Sequence, residues 1–97
     1  MAKERILAVD DEADILELVR FNLVREGYQV MCATSGDGAL KMARIEMPDL
    51  IVLDLMLPDI GGLEITKAIK NDFKTQGTSI VMLTAKTEEA DIVTGLE

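Results

Sequence analysis

The chain alternates short runs of apolar, largely β-branched residues with longer stretches in which apolar positions recur every three or four residues. Runs of the first kind read as strands and stretches of the second kind as helices. Strands are expected over 5–9, 28–33, 50–54 and 79–84, so that the order reads β-α-β-α-β-α-β-α. The first, third and fourth strands (ILAV, LIVL, IVML) are apolar at consecutive positions, the pattern of strands covered by helices on both faces. Alternation of this kind predicts βα units wound around a parallel sheet.

Between the strands, Ile15, Leu16, Leu18, Val19 and Leu23 fall on one side of a first helix, which Gly27 stops. A second helix carries Ala39, Leu40, Ala43 and Met47 inward and ends before Pro48. A third places Ile65, Ile69 and Phe73 four residues apart, with Gly77 beyond it. A fourth begins near Thr87 and has Glu88 and Glu89 in its first turn, where the helix dipole favours acids. The SGDG segment at 35–38 lacks the Lys-Ser/Thr ending of a phosphate-binding loop and reads as the start of the second helix.

At 97 residues the chain can hold one core, so residues 1–97 are expected to form one domain. It has no His and one Cys, which closes off zinc-finger spacing, a disulfide framework and a Ser/His or Cys/His catalytic pair. Cys32, beside Met31 in a strand, reads as a small packed hydrophobe, and the six scattered Met residues as core filling. A net charge of −8 would repel phosphate backbones and anionic membranes, so direct nucleic-acid binding is not expected. No segment approaches the ~20 apolar residues that span a bilayer. The apolar run near the N-terminus is too short for a secretory signal, and the expected address is the cytoplasm.

Carboxylates carry the remaining chemistry. In a doubly wound parallel sheet of order 2-1-3-4, the C-terminal ends of the first and third strands are neighbours at the point where strand order reverses, the usual ligand position in such folds. Asp10 and Asp11 follow the first strand and Asp54 closes the third, so the three acids are expected to converge. Mutually repelling carboxylates either raise a pKa or recruit a cation, and Mg²⁺ suits an all-oxygen donor set. Asp11 with Asp14 has a competing reading as a cap of the first helix. Asp54 is harder to explain structurally, since a carboxylate ending a buried apolar strand needs compensation. Thr84 brings a hydroxyl to the same edge, beside the backbone N–H groups of Ala85 and Lys86, an arrangement that suits a tetrahedral anion or a simple turn cap. Pro58 and the Gly61-Gly62 pair are accounted for by turn chemistry.

The paired acids in ILAVDDE, the block LIVLDLMLPDIGGLEI and the strand VMLTAK together resemble the receiver domain of two-component response regulators, over the whole chain. The wording VMLTAKTEEADIVTGLE is most similar to receivers that precede a winged-helix DNA-binding domain in transcriptional regulators. The resemblance implies a flavodoxin-like fold and a signalling module, not an enzyme, in which Asp54 takes a phosphoryl group from the phosphohistidine of a sensor histidine kinase. It implies that Asp11, Asp54 and the backbone carbonyl of Met56 ligate Mg²⁺ directly and Asp10 through water. Thr84, with the N–H of Ala85, would meet the phosphoryl group.

Receivers of this family continue into a fifth strand, which ends in a lysine, and a fifth helix. The sequence stops at Glu97, before either, and Lys86 does not match that lysine. The expectation is therefore a truncated receiver with impaired phosphorylation, its fourth strand exposed as an edge: either the chain is stabilised by edge pairing or element exchange with a second copy, or it is a fragment or an engineered truncation. The alternative function is a phosphorylation-independent interaction or assembly domain using that edge. A haloacid-dehalogenase-type phosphohydrolase would want an Asp where Met56 stands, and a flavin-binding flavodoxin would not place acids after the first strand.

Overall fold

Four parallel strands and three helices make up residues 4–83, which the computed structural model describes. In chain order these are β1 Arg5–Val9, α1 Ala13–Arg25, β2 Gln29–Ala33, α2 Gly36–Glu46, β3 Leu50–Asp54, α3 Gly62–Lys70 and β4 Ser79–Leu83. The sheet order is β2-β1-β3-β4, the doubly wound, flavodoxin-like arrangement. The fourth helix expected near Thr87, with Thr84 and Ala85, lies outside the described residues.

Strand register decides which side chains share a face. Leu7 stands beside Met31 and Ile51, and Ile51 beside Ile80. With Val9, Leu53 and Ala33 these residues meet Ala39 and Ala43 of α2 and Ile65 and Ile69 of α3 in one apolar core. The opposite face carries Ile6 and Ala8, which are buried, and α1 turns Leu16 inward. Because α1 packs over β1 and β2, burial on β3 alternates, and Val52 and its neighbour Val81 are only half-buried. The expectation that β3 and β4 are covered on both faces is therefore corrected for the described residues.

Three helix expectations also change. Of the side of α1 assigned inward, Leu16 is buried and Val19 and Leu23 are half-buried, but Ile15 and Leu18 are exposed, because the helix rests on the sheet along a narrow stripe. Helix α2 ends as expected before Pro48, yet Met47 is its left-handed C-cap (φ 48°) and points outward, 52% exposed. Helix α3 stops at Lys70 and Asn71 caps it, so Phe73 falls in the following turns and is 82% exposed. Those turns are held instead by Thr75, whose buried hydroxyl donates to the Ile69 carbonyl at 2.7 Å.

The rim where the strands begin is closed by hydrogen bonds. Asp49 N–H donates to the Arg5 carbonyl at 2.8 Å, Arg5 N–H to the Asp49 carboxylate at 2.9 Å, and Ser79 N–H to the Asp49 carbonyl at 3.1 Å. Gln29 N–H reaches the Glu4 carbonyl at 3.0 Å and the Thr78 hydroxyl the Pro48 carbonyl at 3.2 Å. The Arg5 guanidinium adds bonds to the Glu46 carbonyl and, at 2.5 Å, to the Glu46 carboxylate.

Candidate functional site

The opposite rim is acidic. Val9 and Leu53 are register partners on adjacent parallel strands, so the residues that follow them emerge side by side. One oxygen from each of Asp10, Asp11 and Asp54 can be chosen so that all three lie within 4.8 Å of one another. Asp10 and Asp54 are half-buried and Asp11 is exposed. Among the described residues no Lys or Arg pairs with any of them, since the ion pairs lie elsewhere.

Backbone N–H groups aim two of these carboxylates. Asp10 N–H is held by the Ala33 carbonyl of β2 at 3.2 Å, and the Asp10 carboxylate accepts the Glu12 N–H at 2.9 Å. The Asp54 carboxylate accepts the Met56 N–H at 3.1 Å. Burial pushes the Asp10 carboxyl above its ordinary value of 3.8; the Glu12 N–H opposes that shift, and repulsion from Asp54, Asp11 and Glu12 adds to it. The competing reading of Asp11 as a helix cap does not hold, because the N-cap of α1 is Glu12 and no side chain caps it.

The donor set is all hard oxygen and negatively charged, with no Lys or Arg partner among the described residues, which fits a small divalent ion such as Mg²⁺. Met56, the residue implied to offer its carbonyl, is placed by its own N–H on Asp54, and its side chain points out to solvent. Cys32 is half-buried in β2, and burial pushes its thiol up, as for a packed residue. Ser35 caps α2 by accepting the Gly38 N–H at 3.0 Å, so SGDG starts a helix as expected.

One residue near the site gave no sequence signal. Asp59, between Pro58 and the glycine pair, places its two carboxylate oxygens on the N–H groups of Gly36 at 2.8 Å and Asp37 at 3.0 Å. An acid in a Pro/Gly turn looks like turn chemistry, and only the tertiary fold brings the start of α2 beside it.

Comparison with known proteins agrees with this geometry. Residues 6–97 match the response regulator receiver domain family. The chain is 50% identical over 94 residues to the alkaline phosphatase synthesis transcriptional regulatory protein PhoP of Bacillus subtilis (strain 168), covering 97% of this chain and 38% of that protein. The chain thus spans well under half the length of that curated relative. Among solved structures, the N-terminal domain of a response regulator receiver protein from Methanoculleus marisnigri JR1 superposes with a TM-score of 0.84 at 36% identity, over 90% of this chain and 71% of that one. The response regulator protein TrrA from Thermotoga maritima, in complex with Mg²⁺ and BeF, superposes with a TM-score of 0.80 at 40% identity, over 87% of this chain and 71% of that one. A flavodoxin-like sheet of order 2-1-3-4, an acid cluster where its order reverses and a family match over nearly the whole chain lead to one conclusion: this chain belongs to the receiver domains of response regulators.

Proposed function

We propose that the chain is a phosphoacceptor module of two-component signalling, in which Asp54 receives a phosphoryl group from the phosphohistidine of a sensor histidine kinase. The observation that carries this reading is the convergence of Asp10, Asp11 and Asp54 within 4.8 Å at the ends of β1 and β3. In the transfer a carboxylate oxygen of Asp54 forms a bond to phosphorus while the phosphorus–nitrogen bond of the donor breaks, and the imidazole leaves with that electron pair. The Met56 N–H fixes the Asp54 carboxylate for this attack, and the Ala33 carbonyl and Glu12 N–H fix Asp10 beside it. Positioning of this kind supplies much of the rate enhancement in phosphoryl transfer. Asp11, Asp54 and the Met56 carbonyl would hold Mg²⁺, with Asp10 acting through water; when bound, the ion supplies positive charge against the phosphoryl oxygens. That the Thermotoga relative forms a complex with Mg²⁺ and BeF supports Mg²⁺ as the ion. Thr84, one residue beyond β4, and the N–H of Ala85 are assigned to the phosphoryl group by family resemblance alone.

The test is intact-mass analysis after incubation with Mg²⁺ and acetyl phosphate. A phosphoryl adduct on the wild-type chain, absent from Asp54→Asn, is expected; an adduct that survives the substitution places the acceptor elsewhere. No adduct on either protein, with Mg²⁺ still bound, favours the second reading, an assembly domain that pairs through β4, the outer strand of the sheet among the described residues. Sedimentation showing a folded monomer at micromolar concentration would count against pairing of two copies through that edge.

A further inference from the structure

The loop over 55–61 begins one residue after Asp54, and its base is shut. Gly62 N–H donates to the Leu55 carbonyl at 3.0 Å. A Cβ on Gly62 would lie 2.9 Å from the Leu55 Cα, an approach that only glycine permits. The residues between have two further anchors. Leu57 is buried in the core, and Asp59 reaches across to α2.

The Asp59 bonds go to N–H groups of the first turn of α2, which have no partner within the helix and lie at its positive end. The same bonds hold the Asp59 carboxyl below its ordinary value. Ser35 already caps this helix through the Gly38 N–H, so α2 has a local cap besides the one from Asp59. The loop is pressed onto the helix start, because a Cβ on Gly36 would stand 2.8 Å from the Ile60 Cβ. Asp59 and Gly36 thus build one close contact from both sides.

We propose that Asp59 is a positioning residue for the acidic pocket: by tying the loop over 55–61 to the first turn of α2, it holds the Met56 backbone where its carbonyl can complete the oxygen set offered by Asp11 and Asp54. This rests on the Mg²⁺ reading of the pocket. Met56 is the link, since its N–H lies on the Asp54 carboxylate at one end of the loop that Asp59 restrains at the other.

The test titrates the full chain with Mg²⁺ alone, by calorimetry, for wild type, Asp59→Ala, Asp59→Asn, Ser35→Ala and Asp54→Asn, with a thermal melt of each to verify folding. Loss of a residue that orients a ligand costs about tenfold or more in metal affinity, so Asp59→Ala is expected to weaken binding about tenfold. Asp59→Asn keeps one acceptor oxygen and falls between. Ser35→Ala uncaps the same helix without touching the loop and stays within about twofold of wild type. Hydrogen exchange at the Met56 N–H of the metal-free protein, faster in both Asp59 variants than in Ser35→Ala, gives a second readout that does not depend on metal.

Equal weakening by Ser35→Ala and Asp59→Ala would reduce the effect to loosening of α2 and overturn the proposal. So would Asp59→Asn matching Asp59→Ala, which would show that charge alone acts. Binding lost in Asp54→Asn but untouched in Asp59→Ala removes this inference and leaves the pocket reading intact, whereas a wild-type chain that takes up no Mg²⁺ removes both.

Discussion

Replacing Asp54 with Asn in metal-free protein is expected to stabilise the fold, although it removes the proposed reactive group. Asn retains an oxygen to accept the Met56 N–H, so the bond at 3.1 Å is kept. What is lost is repulsion. At the 4.8 Å bound on the carboxylate separations, two unit charges in the dielectric of water repel by about 0.9 kcal/mol. The substitution deletes two of the three pairs, about 1.7 kcal/mol at low salt, which screening reduces to about 1 kcal/mol at physiological ionic strength. For a chain of this size that corresponds to a rise of about 4–8 °C in Tm. The assay is a thermal melt in chelator, repeated at several salt concentrations, where the gain should shrink as salt rises. Mg²⁺ should then invert the ranking: at a hundredfold excess over its Kd, a ligand that binds only the folded state adds about 2.7 kcal/mol, which exceeds the relief of repulsion and is largely forfeited by Asp54→Asn. A mutant melting at or below wild type in chelator would refute the account of the pocket as a self-repelling cluster.

Asp10 adds a pH dependence of unusual sign. Its folded carboxyl titrates above the ordinary 3.8, so the native state holds that proton more tightly than the unfolded chain does. Its contribution is most favourable below 3.8 and is lost as pH rises through the elevated value, so the stability advantage of Asp10→Asn in chelator should grow from acid to neutral pH in a urea-unfolding series. Ile65→Ala, at a fully buried core position, should cost about 2–5 kcal/mol by urea unfolding; a smaller loss would mean the core between α3 and the sheet collapses around the gap. Gly62→Ala forces a methyl against Leu55 and should cost about 1–3 kcal/mol, and a neutral result would show that the base of the loop can open without penalty.

Much of the fold could be read from the chain because the apolar runs are sharply bounded. β1 and β3 have the expected limits, and Asp54 stood out as the one acid in a continuous apolar run. β2 begins one residue later than expected because the Tyr28 N–H is taken by the Leu23 carbonyl in the turn after α1. Periodicity counts spacing but does not see where a helix stops. Ile65, Ile69 and Phe73 keep the interval, yet the chain leaves the helix at Lys70, with no Gly or Pro at that point to announce it. The convergence of Asp10 and Asp11 on Asp54 could be inferred once β1 and β3 were assigned as neighbours. The role of Asp59 could not, because its partners are backbone N–H groups more than twenty residues away, and amide groups leave no trace in residue type.

The cross-links joining Glu4 to Gln29, and Arg5, Glu46, Pro48, Asp49, Thr78 and Ser79 to one another, have a mechanical consequence. They stitch the entry end of the sheet into a stiff base, while the exit end is sprung by like charges. On the proposed reading, a change of charge at Asp54 would act at the acidic end of the sheet, opposite this bonded base.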